Sequence, residues 1–431
     1  MANHDNGAGF FKNIFLVFIP LLLLYSLSYF QRTAIPGTIF NQLQGEFGFS
    51  AVKIAGLSAT FMYVYSIFQI ISGMLADKYG GMRMVLPGGL LLGIGALLFP
   101  LTGDLWLLYL ARLLAALGAS TLYLSLMRET DRIFGHKNYA LMLGVCYFVG
   151  YGGGMLGTWP LAAAMEFFSW QSILIAVAAA IIIFYALFLC GFKFVQLPKI
   201  GASNISLRSL VGIMKNPYSW MLSFCSTVCF STYFIIQTVF GKKLLEDVAG
   251  MSSSRAALVV LLLTVVCMTV IFLSGLLSKL IHNRHRKLMR FAIWCYFLTT
   301  VVTAAVFHFG LPGYILIICY LFYAAASGFT LIFAVAMQEI NCRENMILSA
   351  GFINCLNYLA VALFSVLVGL LLDSIGGKMI DGVVVYSYNA YRTLFDLLLI
   401  PGGLALAVSY FLPETGGHFC RIAIADAPVL K

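Results

Sequence analysis

Charged side chains are scarce in this sequence. Asp, Glu, Lys and Arg make up 10% of its 431 residues, whereas hydrophobic residues make up 61%. A soluble domain carries about 25% charged residues, so there are too few charges here to cover a water-exposed surface, and lipid must cover much of it instead. The composition excludes an ordinary soluble domain and predicts an integral membrane protein.

Long polar stretches are also few, and apolar runs of membrane-spanning length recur along the chain. A spanning helix needs about 20 mostly apolar residues, and the runs predict twelve such helices. The first run alone resembles a signal peptide, but similar runs continue to Phe411 and no small-residue cleavage site follows. The predicted spans are 12–36, 52–75, 84–102, 105–127, 139–164, 171–194, 218–240, 255–280, 288–309, 313–338, 347–372 and 394–413.

The longest break between spans, residues 195–217, contains Pro198, Gly201 and Pro217. We interpret it as a cytoplasmic linker. The expected domains are an N-terminal six-helix bundle at 1–194 and a C-terminal six-helix bundle with a cytoplasmic tail at 218–431. A second sizeable loop is expected at 373–393, before the last span.

Basic residues are distributed unequally between the two sets of loops. With the N-terminus inside, 18 of the 26 Lys and Arg residues fall in cytoplasmic segments and 6 in external ones. This bias predicts a multi-pass protein of the cell inner membrane with both termini in the cytoplasm. The same bias explains the net charge of +10, so no nucleic-acid partner is expected, and the basic loops contact anionic lipid.

Ten cysteines are present, but none falls in a predicted external loop. Eight lie within apolar runs, and Cys342 and Cys420 lie in predicted cytoplasmic segments. Their positions argue against a disulfide framework, and their spacing does not fit a metal site. We therefore expect small buried apolar side chains, with no metal and no cofactor.

The loop after the second span carries a glycine-rich motif. It reads Gly73-Met-Leu-Ala-Asp77-Lys78-Tyr79-Gly80-Gly81-Met82-Arg83. A glycine such as Gly73 lets neighbouring helices approach closely, and Gly80 permits a tight turn. The Asp77 carboxylate at a helix end can accept hydrogen bonds from the N-terminus of another helix.

This motif resembles the signature loop between helices 2 and 3 of the major facilitator superfamily, with Lys78 in place of the usual arginine and the following basic residue displaced to Arg83. The resemblance implies a fold of twelve transmembrane helices in two pseudo-symmetric six-helix bundles. It also implies that Asp77 meets the start of helix 11 and that the basic residue meets an acid at the end of helix 4, Glu129 or Asp131. These contacts would lock the cytoplasmic side.

A fainter echo of the motif begins at Gly275, 202 residues after Gly73, with Lys279 where the aspartate would stand. Related six-helix halves produce such an offset, so we expect a stronger lock in the first half. The fourth span, from Arg112 to Gly118, resembles the helix-4 pattern of the family. The fifth span has small-residue spacings for close helix packing, beginning at Gly150, but lacks the Gly-Pro core of the antiporter signature.

Two arginines lie inside predicted spans, Arg32 and Arg112, and all 16 acids fall in loops or near span ends. Ionisable residues within spans are costly and usually functional. Arginine stays charged and binds carboxylate or phosphate in a bidentate manner, so the pattern favours an anionic substrate. For each arginine, a structural role in packing or hydrogen bonding to helix carbonyls is the alternative.

The stretch from Tyr29 to Arg32 resembles the first helix of organic-anion carriers of the anion:cation symporter type, where an arginine at this place contacts substrate. The residue before it is often aspartate in proton-coupled relatives, and here it is Gln31. The coupling ion, H⁺ or Na⁺, therefore stays open, and so do exchange and facilitated diffusion without one.

Polar residues at helical spacing are further candidates for a binding cavity. Each is alternatively a hydrogen bonder between helices. The candidates are Tyr25, Tyr29, Tyr63, Gln69, Tyr147, Tyr151, Ser226, Tyr233, Gln237, Asn354 and Asn357.

These features predict a monomeric secondary transporter, a symporter for a small organic anion that works by alternating access. Amino-acid uptake and export of a drug or siderophore are the alternatives. An enzyme is not expected, because we find no Gly-x-Ser-x-Gly elbow, no His-Glu-x-x-His and no buried His/Asp pair. A channel is not expected, because pore-lining repeats and charged rings are absent.

Overall fold

Helices account for nearly all of the regular structure. A computed structural model of the protein describes residues 14–194, 207–341, 345–380 and 383–417. The helices are α1 (Ile19–Thr33), α2 (Phe40–Phe47), α3 (Ala51–Tyr79), α4 (Gly81–Leu98), α5 (Leu105–Leu156), α6 (Trp159–Ala164), α7 (Trp170–Phe192), α8 (Leu207–Lys215), α9 (Pro217–Ile235), α10 (Gly241–Ala249), α11 (Ser253–Leu280), α12 (His285–Phe309), α13 (Tyr314–Gly328), α14 (Thr330–Glu339), α15 (Met346–Ile375) and α16 (Tyr388–Ser409). Short π-helical turns occupy Ile14–Phe18, Ala34–Thr38 and Ile236–Phe240.

Membrane-spanning length is common among these helices. Within the described ranges, eleven helical segments are long and apolar enough to cross a bilayer. The predicted all-α membrane fold is confirmed, and the number of segments is close to the twelve predicted.

The 52-residue α5 covers both the fourth and the fifth predicted spans. Tyr123 and Tyr147 of this element are hydrogen-bonded through their hydroxyls. A straight helix would separate residues 24 positions apart by about 36 Å. The element therefore consists of two arms that return past each other, as two consecutive spans must.

The surface of the protein is apolar and its interior holds the polar groups, the reverse of a soluble protein. Phe148, Phe272 and Leu280 are 69%, 69% and 74% exposed, whereas Arg32 and Arg112 are 0% and 1% exposed. An outward layer of Phe, Leu and Ile suits contact with lipid tails. Because lipid tails offer no hydrogen bonds, polar groups must find their partners inside the protein.

The chain divides into two compact units. One comprises 1–42 and 57–204, and the other comprises 43–56 and 205–431. The second unit thus includes the first six residues of α3. There the Asp373 carboxylate, near the end of α15, accepts hydrogen bonds from the backbone N–H groups of Ala51 (2.9 Å) and Val52 (2.8 Å). This contact caps the N-terminus of α3, where the helix dipole favours a negative charge.

Glycines set the close packing of helices in the first unit. A Cβ placed at Gly118 of α5 would overlap backbone atoms of Gly88 and Leu92 in α4. A Cβ at Gly153, in the second arm of α5, would overlap the carbonyl oxygen of Ser26 in α1. The small-residue spacing of the fifth span therefore permits backbone contact between α1 and α5, as predicted.

Two predicted loops contain regular structure. Part of the 195–217 linker is helical, because α8 lies within it. The loop predicted at 373–393 contains an antiparallel pair of strands, β1 (Gly377–Ile380) and β2 (Val383–Tyr386), and the last helix begins at Tyr388 rather than at residue 394. The helix begins before the apolar run because the Ser387 side chain caps it by accepting a hydrogen bond from the Ala390 backbone N–H.

Candidate functional site

Arg32 lies in the last turn of α1 and is fully buried in the first unit. The centre of its guanidinium group is 4.2 Å from the ring centroid of Tyr65 and 4.4 Å from that of Tyr29, with Phe61 at 5.7 Å. Cation–π attraction of this kind stabilises a desolvated guanidinium by about 2 kcal/mol. The Arg32 guanidinium is therefore surrounded by aromatic rings.

Arg112, in the first arm of α5, makes different contacts. Its guanidinium donates to the backbone carbonyls of Leu57 (3.1 Å), Gln31 (2.9 Å) and Ile35 (3.0 Å). It also lies over the Phe61 ring at 4.4 Å. All three guanidinium nitrogens are thus used to join α5 to α1 and α3, and this geometry favours the structural role that the sequence left open for Arg112.

Tyrosine rings form a continuous row beside Arg32. The rings of Tyr25 and Tyr29 are 5.1 Å apart, and their hydroxyls are 3.4 Å apart, which places Tyr25, Tyr29 and Arg32 on one face of α1. Tyr25 stacks on Tyr123 at 6.0 Å, and Tyr29 contacts Tyr151 at 5.4 Å. Within the first unit, five of the residues chosen from sequence as cavity candidates, together with Tyr65, therefore belong to one cluster: Arg32, Tyr25, Tyr29, Tyr147 and Tyr151.

The candidates in the second unit mostly bond to neighbouring helices. The Asn357 amide of α15 donates to Ser226 (3.1 Å) and accepts from Thr227 (3.0 Å) on α9. Gln237, in the π-helical turn after α9, donates to Thr264 of α11 at 2.7 Å. These bonds match the interhelical alternative.

Tyr233 is 1% exposed, and Asn354 is half-buried on α15. Both residues belong to the second unit.

The glycine-rich loop is described in part. Gly80 adopts φ +87°, a conformation that glycine permits, at the turn between α3 and α4. The Arg83 guanidinium donates to the carbonyl of Tyr79 (3.3 Å), and Glu129 pairs with Arg132 at 2.6 Å. The predicted lock also involves residues whose side chains lie outside the described part of the chain: Gly73, Asp77, Lys78 and Asp131.

A buried histidine–acid group was missed by the sequence interpretation. The Nδ1 atom of His285, at the start of α12, lies 3.0 Å from the Glu339 carboxylate and 3.0 Å from the Thr415 hydroxyl, and its Nε2 lies 2.8 Å from Ser278. All four residues are buried. The expectation of no buried His/Asp pair thus overlooked a His–Glu pair, because helix ends that meet in space are far apart in sequence.

A second buried charge cluster occupies α10 and the β-hairpin. Lys243 and Asp247 form an ion pair of 2.7 Å with both side chains 2% exposed. The Asp247 carboxylate also accepts from the Tyr391 hydroxyl (2.8 Å) and the Tyr386 backbone N–H (3.1 Å). Burial raises the pKa of the Tyr386 hydroxyl, and the nearby Asp373 carboxylate raises that pKa further. Lys243 and Asp247 lie four residues apart, and this spacing is the sequence signal that could have predicted the ion pair.

Across the described residues, no group of three or more His, Cys, Asp or Glu side chains is placed to hold a metal ion. The chemistry that the clustered residues offer is therefore recognition by a fixed positive charge, aromatic faces and phenol hydroxyls.

Comparisons with known proteins agree on the class of protein. Residues 21–364 match the Major Facilitator Superfamily. The chain is 27% identical over 155 residues to the multidrug resistance protein MdtH of Photorhabdus laumondii, covering 34% of this chain and 37% of that protein. It is 27% identical over 190 residues to the riboflavin transporter RibZ of Clostridioides difficile, covering 43% and 41%. The chain thus aligns with about two fifths of the length of each relative.

Solved structures share the fold over almost the whole chain. A bacterial homologue of the human lysosomal transporter Spinster, in an inward-facing and unoccupied conformation, superposes with a TM-score of 0.73 at 16% identity, covering 93% of this chain and 97% of that one. The nucleoside transporter NupG superposes with a TM-score of 0.68 at 14% identity, covering 91% and 100%. At these identities the likeness establishes the fold alone.

Proposed function

Because this chain belongs to the major facilitator superfamily, we propose that it is a secondary active transporter that carries a small organic anion across the cell inner membrane by alternating access. Membership of this family identifies a multi-pass membrane transporter. The anionic substrate, the membrane and the cytoplasmic position of both termini are the proposed elements.

The burial of Arg32 among the rings of Tyr29 and Tyr65 is the observation that carries the anion proposal. Its guanidinium keeps a positive charge and presents its N–H donors around the edge of the plane, in a geometry that matches a carboxylate. We expect the carboxylate of a substrate to bind along this edge. Glu129, a buried acid of the same unit, pairs instead with Arg132.

In the proposed cycle, the substrate binds at the Arg32 cluster and the two six-helix halves move about it. The Asp77 loop would hold the cytoplasmic side closed in one state, as the family motif implies. A coupling ion, H⁺ or Na⁺, would drive symport; an anion that brings its own proton would need no carboxylate on the helix beside Arg32.

Export of a drug is a second candidate function. Its support is the similarity to a protein named for multidrug resistance over 34% of the chain. A drug exporter would bind neutral or cationic compounds, so the charge preference of the site separates the two functions. Uptake of amino acids, whose carboxylate an arginine also binds, differs by its requirement for an amino group on the substrate.

Binding of matched acids and amides to the detergent-solubilised protein tests the anion proposal. The probes are benzoate, succinate and gluconate, each paired with its neutral amide, in isothermal titrations. A charge-assisted hydrogen bond contributes about 1.5–3 kcal/mol, which corresponds to about 10- to 100-fold in Kd. We expect at least one acid to bind more tightly than its amide by such a factor, and Arg32→Gln to abolish the difference.

Arg290→Gln is the matched control. Arg290 belongs to the second unit, and its guanidinium donates to the carbonyls of Ser409 (3.1 Å) and Tyr410 (2.7 Å). This variant removes the same charge and should keep the preference for acids. Equal binding of acids and amides to the wild-type protein, or an unchanged preference in Arg32→Gln, would refute the proposed role.

A further inference from the structure

The row of tyrosine rings beside Arg32 extends beyond the rings that contact its guanidinium. From Tyr29 it continues through Tyr25 and Tyr123 to Tyr147, with centroid distances of 5.1, 6.0 and 5.9 Å, and Tyr151 adds a branch at 5.4 Å from Tyr29. Every member of the row belongs to the first unit. One end of the row touches the Arg32 guanidinium, and the other end is formed by the phenol rings of Tyr123 and Tyr147.

Two rings of the row are buried, and the other three are partly exposed. Tyr25 and Tyr29 are 2% and 8% exposed, while Tyr123, Tyr147 and Tyr151 are only half-buried. The row therefore offers ring surface and hydroxyl groups to a molecule that lies against it.

The two tyrosines of the second arm of α5 differ in their position relative to its apolar face. Val145, Phe148 and Leu156 are 40%, 69% and 54% exposed and share one face of this arm. At about 100° per residue, Tyr147 lies about 160° from Val145 and about 180° from Leu156, whereas Tyr151 lies about 60° from Phe148, at the border of that face. The exposed part of Tyr147 therefore points away from the apolar face, and the Tyr151 ring contacts Tyr29 of α1.

Aromatic rings select for other aromatic rings. Each carries a negative face and a positive edge, so an offset or edge-on ring gains attraction that a saturated ring of the same size does not. The row already uses both geometries: Tyr25 stands edge-on to Tyr29 with an interplanar angle of 78°, and it stacks on Tyr123 with an angle of 25°. A flat ring inserted against Tyr123 or Tyr151 would continue this pattern.

We propose that the tyrosine row binds the ring of an aromatic carboxylate whose carboxylate group is held by Arg32, so that the substrates of this transporter are aromatic acids. This assignment rests on the proposed function, because it takes the Arg32 cluster as the substrate site. It goes further by naming which organic anions are selected and which residues select them.

Matched pairs of aromatic and saturated acids test the assignment. The probes are benzoate, phenylacetate and naphthalene-2-carboxylate, against cyclohexanecarboxylate, cyclohexylacetate and decahydronaphthalene-2-carboxylate. Both members of a pair carry the same carboxylate, and the saturated one is more apolar, so burial alone favours the saturated acid. We expect the aromatic member of at least one pair to bind about 3- to 10-fold more tightly to the wild-type protein.

Variants at the partly exposed tyrosines identify which rings produce the preference for aromatic acids. Tyr151→Leu should bring the aromatic and saturated acids to equal affinity, while Tyr151→Phe should keep the aromatic preference because it keeps the ring. Tyr147→Leu should lower the preference in the same direction and provides a second variant should Tyr151→Leu fold poorly. Tyr314→Leu, at a tyrosine 64% exposed in the second unit, should change nothing.

The outcomes separate this assignment from the proposed function. Acids that bind through Arg32 with no preference for aromatic members would overturn the aromatic assignment and leave the anion proposal standing. An aromatic preference that survives both leucine variants would overturn the role of the tyrosines. If none of the acids binds more tightly than its amide, the anion proposal itself is wrong, and the assignment falls with it.

Discussion

At the scale of single residues, the two arginines that lie within predicted membrane spans have different environments. Arg112 satisfies its guanidinium with three backbone carbonyls, whereas Arg32 lies over the rings of Tyr29 and Tyr65. The sequence could place both inside the membrane, because an isolated charge in an apolar run is conspicuous. It could not show how Arg112 is held, because its partners are the carbonyls of Gln31, Ile35 and Leu57, which carry no side-chain signal.

The buried His285–Glu339 pair supports a prediction about stability. In His285→Ala the Glu339 carboxylate, 7% exposed, loses the partner 3.0 Å away, and an unsatisfied buried acceptor costs about 1–3 kcal/mol. We expect a clear fall in the apparent Tm of the solubilised protein in thermal unfolding.

The control is His308→Ala. His308 and Asp396 also form a pair, at 2.9 Å, but their side chains are 48% and 37% exposed, and exposed pairs contribute about 0–1 kcal/mol. This variant should unfold close to the wild-type temperature. Equal effects of the two substitutions would show that burial does not determine the importance of the His285 pair.

At the scale of elements, the two halves of the sequence repeat one arrangement. A π-helical turn follows α1 at Ala34–Thr38, and another follows α9 at Ile236–Phe240. Ile236 lies 202 residues after Ala34, the same offset as the motif echo from Gly73 to Gly275. After each turn come a short helix and then a long one, α2 and α3 in one case and α10 and α11 in the other. A repeated order of this kind is typical of transporters built from related halves.

The packing of α1 on the second arm of α5 depends on glycine, which gives a prediction at this scale. Gly153→Ala places a methyl group against the backbone of Ser26, and overpacking of a close contact costs about 1–3 kcal/mol. We expect a lower apparent Tm and weaker binding of acids, since α1 carries Arg32.

Gly152→Ala is the neighbouring control. A Cβ at Gly152 has no atom within 4 Å, and alanine is favoured over glycine within a helix by up to about 1 kcal/mol. This variant should be as stable as the wild type or slightly more so. Loss of stability in Gly152→Ala equal to that in Gly153→Ala would mean that the interface is not the cause.

Elements with an apolar pattern were predictable, and elements without one were not. The spans follow from the length and spacing of hydrophobic residues, and α3, α7 and α11 begin and end within a few residues of their predicted limits. The β-hairpin was missed, although the Asp381-Gly382 pair between its strands is a sequence typical of a two-residue hairpin turn. The amphipathic α8 was missed because Pro198, Gly201 and Pro217 around it indicated a loop.

At the scale of the whole molecule, composition determined the class and the motifs determined the family. Scarce charge and recurring apolar runs require a membrane protein, and the match over residues 21–364 places it in the major facilitator superfamily. In the proposal, substrate choice depends on which rings meet around Arg32, and neither composition nor motifs carry that information. Tyr123 was not among the sequence candidates, and its stacking on Tyr25 arises only when α1 and α5 pack.

Exchange of a labelled acid across proteoliposomes tests the central claim most directly. The probe is whichever of benzoate, succinate and gluconate binds most tightly, at a pH where it is ionised. The account predicts saturable uptake that is accelerated by the same acid loaded inside, that is retained in Arg290→Gln and that is lost in Arg32→Gln. Uptake without acceleration by internal acid, or uptake at the wild-type rate in Arg32→Gln, would contradict it.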